Sequence, residues 1–328
     1  MTPPEPVDAA AVMRSTDVRV VALGGGHGLS ASLAALRRVV EDLTAVVTVA
    51  DNGGSSGRLR REFGVLPPGD LRQALSALCG DDDWGRTWAR VLQHRFASDG
   101  EMDEHALGNL LIVTLWELLG DHVDGLDWVS RLLGAQGRVL PMAVTPLDIT
   151  ATVVGADRAD PQALTTVRGQ VEVASTTGQV TAVQLDPQDP PACPEALAAV
   201  RAADWVVLGP GSWFTSVIPH LLVPELRDSL VSSPARTLVV LNLAPQPGET
   251  DGFSPEQHLE VLSAHAPDLA LDVVLADREA VPDPGRLTVA CRALGAELVV
   301  ADLAVGDGTP RHDPVRLARA YAALLLGA

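Results

Sequence analysis

Three glycine-rich loops in this sequence offer backbone N–H groups in the pattern that holds phosphate. They are Gly24-Gly25-Gly26-His27-Gly28, Asp51-Asn52-Gly53-Gly54-Ser55-Ser56-Gly57 and Gly209-Pro210-Gly211-Ser212. Each follows a short apolar run of strand character: Val18 to Leu23, Ala45 to Ala50 and Trp205 to Leu208. A strand, a glycine turn and a helix direct unpaired N–H groups at one point, and the helix dipole favours negative charge there. One such loop is a weak signal. Three of them point to a ligand with more than one phosphate.

The first loop is tighter than the dinucleotide fingerprint G-x-G-x-x-G and one glycine richer, which suits close backbone approach to a phosphate or sugar. His27 within it either donates to a phosphate or caps the helix. Asp51 ends the second strand, where an acidic residue meets a ribose in dinucleotide sites. The Gly53 and Gly54 that follow suit an anion nest or a metal–water site better. Asn52, in the same loop, is a candidate ligand contact, as is Arg58 beside it, which supplies positive charge. Asp70, in Pro67-Pro68-Gly69-Asp70-Leu71-Arg72, is placed to cap a helix. Arg72 then opposes the helix dipole, which a bound anion would explain.

Gly108-Asn109 interrupts a helical stretch, where glycine costs about 1 kcal/mol against alanine, so close packing or ligand approach is expected. Ser212, Thr215 and Ser216 bring hydroxyls to the first turn after the third loop. Asn242, Gln246, Glu249, Thr250 and Asp251 follow the next strand at its C-terminal edge, where open α/β sheets bind ligands. Arg311 precedes the last helix and either reaches a diphosphate or lies in a solvated turn. No G-x-S-x-G, H-E-x-x-H or cysteine–histidine signature is present, and no nucleophile or general base stands out. The site reads as one built to hold a ligand more than to transform it.

The elements that must position these residues read as alternating strands and helices. Val18 to Leu23, a helix over Ser30 to Val40 and a strand over Ala45 to Ala50 make a βαβ opening. A loop then runs to Gly69, followed by helices at Asp70 to Cys79, Trp84 to Phe96, His105 to Leu119 and Asp121 to Leu133. From about residue 138 to 185 the chain alternates polar and β-branched residues, as in Val167 to Val173, and reads as a small antiparallel β insertion. The helix Glu195 to Ala202 restores the α/β rhythm. Further strands are expected at Trp205 to Leu208, Thr237 to Leu243, Leu271 to Ala276 and Leu298 to Ala301, with a last helix at Pro314 to Leu326. The expected fold is α/β: a Rossmann-like three-layer sandwich with a mainly parallel sheet, a single domain over residues 18–328 after a disordered tail at 1–17.

The chain has 328 residues, 47% of them hydrophobic, so it can bury a large core. Its net charge of -18 argues against nucleic acid or an anionic membrane as partner. All 24 basic residues are arginine. That excludes a P-loop lysine, a kinase lysine and a Schiff-base lysine. Cys79, Cys193 and Cys291 form no metal-binding pattern and suit a reducing compartment. The first residues lack an apolar signal-peptide core, and no apolar run spans a bilayer. A cytoplasmic protein is expected, with homodimerisation left open.

The strings Val21-Ala22-Leu23-Gly24-Gly25-Gly26-His27-Gly28-Leu29, Val47 to Arg60, and Pro67 to Arg72 resemble the YvcK family of gluconeogenesis factors. Leu107-Gly108-Asn109-Leu110, Leu208 to Ser212 and Gln246-Pro247-Gly248-Glu249-Thr250-Asp251-Gly252-Phe253 match as well. The lysine-free, alanine- and arginine-rich composition resembles actinobacterial members. The resemblance implies a Rossmann-like fold shared with the 2-phospho-L-lactate transferases, the CofD-like proteins of deazaflavin cofactor synthesis. It also implies binding of UDP-sugars such as UDP-N-acetylglucosamine, and a regulatory role in cell shape and envelope growth on gluconeogenic carbon. A cell-wall synthesis or regulatory protein would be the downstream partner, and Ser/Thr kinases would act on the protein at sites the motifs do not carry over. Four positions depart from the family pattern: His27 stands for Thr, Asn52 for a second Asp, and Trp213-Phe214 for Leu-Tyr. Losing the Asp weakens a catalytic metal site, because hard cations prefer charged oxygens.

On this reading Gly24, Gly25, Gly26, Gly28, Gly53, Gly54, Gly209, Gly211 and Ser212 surround the diphosphate, with Arg72 or Arg311 assisting. Asp51 and Asn109 meet polar groups of the ligand. The alternative is a phosphotransferase with Asp51 holding Mg²⁺ and a deazaflavin as acceptor. A third reading, an NAD-dependent oxidoreductase, rests on the βαβ opening and Asp51 alone.

Overall fold

The computed structural model describes residues 14–157, 160 and 162–327. Strand β1 (Ser15–Gly24) turns into helix α1 (Gly26–Leu36), and β2 (Val40–Val47) returns beside it. Helices α2 (Gly54–Phe63), α3 (Gly69–Ala77), α4 (Asp83–Gln93), α5 (Leu107–Leu119) and α6 (His122–Leu133) lead to β3 (Arg138–Pro141). Then come β4 (Asp148–Val154), β5 (Leu164–Arg168), a short α7 (Gln170–Ala174) and β6 (Gln179–Asp186). Helix α8 (Pro194–Ala202) precedes β7 (Trp205–Leu208), a π-type turn at Trp213–Val217, α9 (Pro219–Leu222) and α10 (Pro224–Ser232). The chain ends with β8 (Arg236–Val240), α11 (Pro255–His265), β9 (Val273–Asp277), α12 (Pro284–Ala293), β10 (Glu297–Ala301) and α13 (Pro314–Leu326).

Seven strands form one parallel sheet in the order β10-β9-β8-β7-β1-β2-β3. Val20–Leu23 and all of β7 and β9 are buried without alternation, as strands covered on both faces must be. The chain winds outward from β1 to β3, returns to β7 on the other edge of β1, and winds outward again to β10. Right-handed crossovers in the two directions put their helices on opposite faces. Helix α1 packs with α3 and α13, and α8 packs with α10. The reversal of strand order falls between β1 and β7, where Leu23 pairs with Leu208. Their C-terminal ends therefore splay apart into the crevice that α/β proteins use for ligands.

The second sheet, β5-β4-β6, is antiparallel, and the burial of β4 alternates residue by residue. It presents one face to the body of the molecule and the other outward. Among the described residues, no helix is long and apolar enough to cross a membrane. Cys79, Cys193 and Cys291 are buried free thiols.

Several boundaries differ from those read in the sequence. Helix α1 starts at Gly26 rather than Ser30, and β1 begins at Ser15, inside the stretch assigned to a tail. The rest of that tail, residues 1–13, lies outside the described residues. The segment expected as a loop after Asp51 is helix α2, which buries Ser55, Ser56, Gly57 and Leu59 and stops at Gly64 in the left-handed region. Tertiary packing of its small residues overrides their low helix propensity. Strand β3 is not part of the β insertion: it pairs in parallel with β2, so the insertion spans 148–186. The alternating run at Val167 is split, its second half coiling into α7. Asp70 is not an N-cap, since Pro68 holds that position and the Asp70 carboxyl turns elsewhere. Asp313 does cap α13, accepting from the Val315 and Arg316 N–H groups.

Candidate functional site

A cavity of about 630 Å³ opens at the ends of β1 and β7. One wall is Gly25, Gly26, His27, Gly28 and Ala31, the first turns of α1. Pro210, Gly211, Ser212, Thr215 and Ser216, after β7, make the next, and residues 242–247, after β8, continue it. Asp51, Asp70 and Gln73 come from the β2 side, Gln170, Val171 and Ala174 from the insertion, and Pro310, Arg311 and His312 from the segment before α13. The volume falls in the range of about 300–1,000 Å³ usual for small-molecule sites.

Helix α1 is the element best prepared for an anion. Its N-cap is Gly25, no side chain caps it, and no acidic residue occupies its first turn. The Asp70 carboxyl from α3 lies beside this end and engages the Gly26 N–H, so the dipole and the N–H groups of the first turn after Gly26 are what a ligand can use. The β1 and β7 loops are pressed together beside it: a Cβ on Gly28 would lie 2.3 Å from the Pro210 carbonyl oxygen. Only glycine fits there.

The loop after β7 is differently equipped from the sequence expectation. Asn242 grips Gly211 twice, its Oδ1 accepting from the Gly211 N–H at 2.9 Å and its Nδ2 donating to the Gly211 carbonyl at 2.8 Å. Gln246 accepts from the Trp213 N–H, and buried Glu249 accepts from the Phe214 N–H and the Thr215 hydroxyl, the latter at 2.6 Å. Glu249 therefore stands where a phosphate would cap that turn. Thr215 lines the cavity but spends its proton on Glu249, Ser212 bonds the same carboxylate and accepts from Gln246 Nε2 at 3.2 Å, and Ser216 keeps a hydroxyl there.

The loop after β2 is not an anion nest. Asp51 Oδ1 already accepts from the Gly53 N–H at 2.8 Å. Asn52 faces the insertion, accepting from the Val171 N–H and donating to Glu172 Oε2 at 2.8 Å. Gly53 and Gly54 do not line the cavity, and Arg58 reaches away to the backbone of Glu101 and Asp103. Gly24 and Gly209 end their strands behind the site, bonded to Thr48 and Leu23 through backbone groups. Asn109 is buried behind the wall, joining Arg72 to Ser55. Arg72 faces a neighbouring cleft rather than this cavity.

Asp51 and Asp70 give the cavity its charge. Asp70 is 8% exposed, and its Oδ2 has no hydrogen-bond partner. Burial, then the nearby Asp51 charge, push its carboxyl up to about 7, against weaker pulls from the Gly26 N–H and Arg72. His312 also lines the cavity with an unpartnered Nε2, and burial holds its imidazole down to about 4, so it is neutral at neutral pH. Arg311 reaches the cavity while paired with Asp307 at 2.6 Å. Among the described residues, no group of three or more His, Cys, Asp or Glu could hold a metal by itself. Mg²⁺ commonly takes one or two carboxylates and completes its shell with phosphates and water. The Asp51–Asp70 pair, with one orphaned oxygen, fits that mode.

Of the sequence candidates, the structure gathers Gly25, Gly26, His27, Gly28, Asp51, Asp70, Gly211, Ser212, Thr215, Asn242 and Arg311 around one space. Gln73, His312 and the insertion residues Gln170, Val171 and Ala174 were missed. Gln73 had a signal, one helical turn after Asp70 on the same face. The insertion residues had none, because their contribution depends on how the second sheet folds back.

Residues 20–306 match the family model described as 2-phospho-L-lactate transferase CofD. The "Putative gluconeogenesis factor" of Mycobacterium tuberculosis is 53% identical over 302 residues, covering 91% of this chain and 88% of that protein. The "Gluconeogenesis factor" of Listeria monocytogenes is 34% identical, covering 95% and 97%. A crystal structure of a UPF0052-family protein from Bacillus halodurans superposes with a TM-score of 0.81 at 32% identity, covering 93% of this chain and 99% of that one.

Proposed function

The chain belongs to the gluconeogenesis-factor family built on the CofD-type domain, and from that premise we propose that its cavity binds a nucleotide sugar as a regulatory ligand. The glycine-rich N-terminus of α1, with no acidic residue in its first turn and opening onto a cavity of about 630 Å³, carries this reading. The diphosphate lies against Gly25 to Gly28, with the Ser216 hydroxyl donating from the other loop. His312 offers its unpartnered Nε2 to the rest of the ligand. UDP-N-acetylglucosamine is the ligand of choice, and cell-shape and envelope control through a protein partner the role.

The energetics suffice. A micromolar affinity needs about 8 kcal/mol. Charge-assisted hydrogen bonds contribute about 1.5–3 kcal/mol each and a helix dipole about 0.3–1 kcal/mol. Two or three such bonds with base packing reach that total.

The Asp51–Asp70 pair favours a second reading, a Mg²⁺-dependent phosphotransferase. Bound Mg²⁺ would neutralise charge on the transferred group, and the two carboxylates would hold it. The readings separate on turnover: the protein is incubated with UDP-N-acetylglucosamine, Mg²⁺ and a deazaflavin acceptor, and products are resolved by chromatography. Binding without product supports the regulator. Protein-dependent consumption of the nucleotide sugar overturns it in favour of the transferase.

A further inference from the structure

A second cleft, of about 600 Å³, lies beside the main cavity and includes His27, Ser30, Arg72, Gln73, Gln93 and Arg95 in its lining. His27 and Gln73 line both spaces, so the two are contiguous. No Asp or Glu lines the second cleft, although the chain carries a net charge of -18. Arg72 is 3% exposed. Its Nε donates to Asn109 Oδ1 at 2.8 Å and another nitrogen donates to Gln93 Oε1. Arg95 donates to the Glu104 carbonyl oxygen at 2.7 Å.

All of these acceptors are neutral. They orient the two guanidinium groups without cancelling their charge, and among the described residues neither has a carboxylate in ion-pair range. Buried charges are ordinarily paired, because desolvation is costly and like charges repel. Burial, then the Arg95 charge, lower Arg72 to about 10 against weaker pulls from Asp70 and Asp51, neither of which forms an ion pair with it. Guanidinium forks match phosphate and carboxylate oxygens in bidentate fashion.

We propose that this cleft is a second oxyanion subsite, in which Arg72 and Arg95 hold a phosphate or carboxylate group next to the main cavity. That group is either a distal acidic group of the ligand in the main cavity or a separate small anion. The inference does not depend on what the main cavity binds.

Inorganic phosphate is the probe, titrated into the full-length protein and followed by phosphorus NMR line broadening. Arg95 is exposed and does not line the main cavity, so Arg95→Ala reports on the cleft alone, with a thermal melt confirming the fold. Phosphate affinity should fall about tenfold in Arg95→Ala, the loss of one charge-assisted contact. Arg95→Lys should keep most of it. A parallel titration with UDP-N-acetylglucosamine separates the sources. Weakening in Arg95→Ala assigns the group to that ligand, whereas unchanged affinity beside lost phosphate binding assigns a separate anion. Phosphate affinity equal in the wild type, Arg95→Ala and Arg95→Glu, or no phosphate binding to the wild type at tens of millimolar, would overturn the proposal. Failure of the nucleotide sugar to bind leaves the phosphate comparison intact.

Discussion

Gly28 and Gly211 lie in direct backbone contact: a Cβ on Gly28 would stand 2.5 Å from the Gly211 Cα. The contact joins the first turn of α1 to the loop after β7, and so fixes the spacing of the two walls. Gly28→Ala must push the loops apart. Overpacking of this kind costs about 1–3 kcal/mol, so the variant should melt several degrees lower and bind nucleotide sugar more weakly. Thermal melts and calorimetry on the same samples check both.

Asp70 makes stability depend on pH. Its carboxyl ionises near 3.8 in the unfolded chain and near about 7 in the fold. Below about pH 4 both states hold the proton. Between about pH 4 and 7 only the native state keeps it, so native stability from this group is lost as pH rises through that window. Asp70→Asn never ionises. It should therefore melt above the wild type at pH 8, by an amount on the order of a few kcal/mol, with the gap closing toward pH 4. A gap independent of pH would show that Asp70 ionises normally.

Asn52 fastens the insertion to the main domain through Val171 and Glu172. Val171 lines the cavity, so this clamp sets one wall. Asn52→Ala removes two hydrogen bonds worth about 0.5–1.5 kcal/mol each. Ligand affinity should drop severalfold while the global melt moves little, and hydrogen exchange should quicken at residues 170–174.

Glu249 stands in for an anion at the turn after β7. Glu249→Ala leaves the buried Phe214 N–H and Thr215 hydroxyl unpaired, at a cost of about 1–3 kcal/mol for each group. The melt should fall accordingly, and Glu249→Gln, which keeps an acceptor, should recover part of the loss.

The parallel strands and the β1 and β7 loops were legible in the sequence because glycine turns follow buried apolar runs, a local signal. The roles of neighbouring residues were not, because they depend on partners far along the chain. Asn52 looked like a ligand residue and is a clamp across 119 positions to Val171. Arg72 looked like a diphosphate contact and serves another cleft. The N–H groups after β7 looked free and are taken by Gln246 and Glu249. Helix α2 was hidden because its glycines and serines, poor helix formers, are held by burial.

The central claim is that α1 receives the diphosphate at its glycine N-terminus, beside Asp70. His27 is exposed there and lines the cavity, so His27→Glu adds a carboxylate without burying one. The decisive measurement is calorimetric titration of UDP-N-acetylglucosamine, with Mg²⁺, into the wild type and His27→Glu. Saturable one-to-one binding by the wild type and about a hundredfold weaker binding by the variant, as a like-charge contact demands, is the predicted result. Equal affinities, or no saturation of the wild type at millimolar ligand, would contradict it.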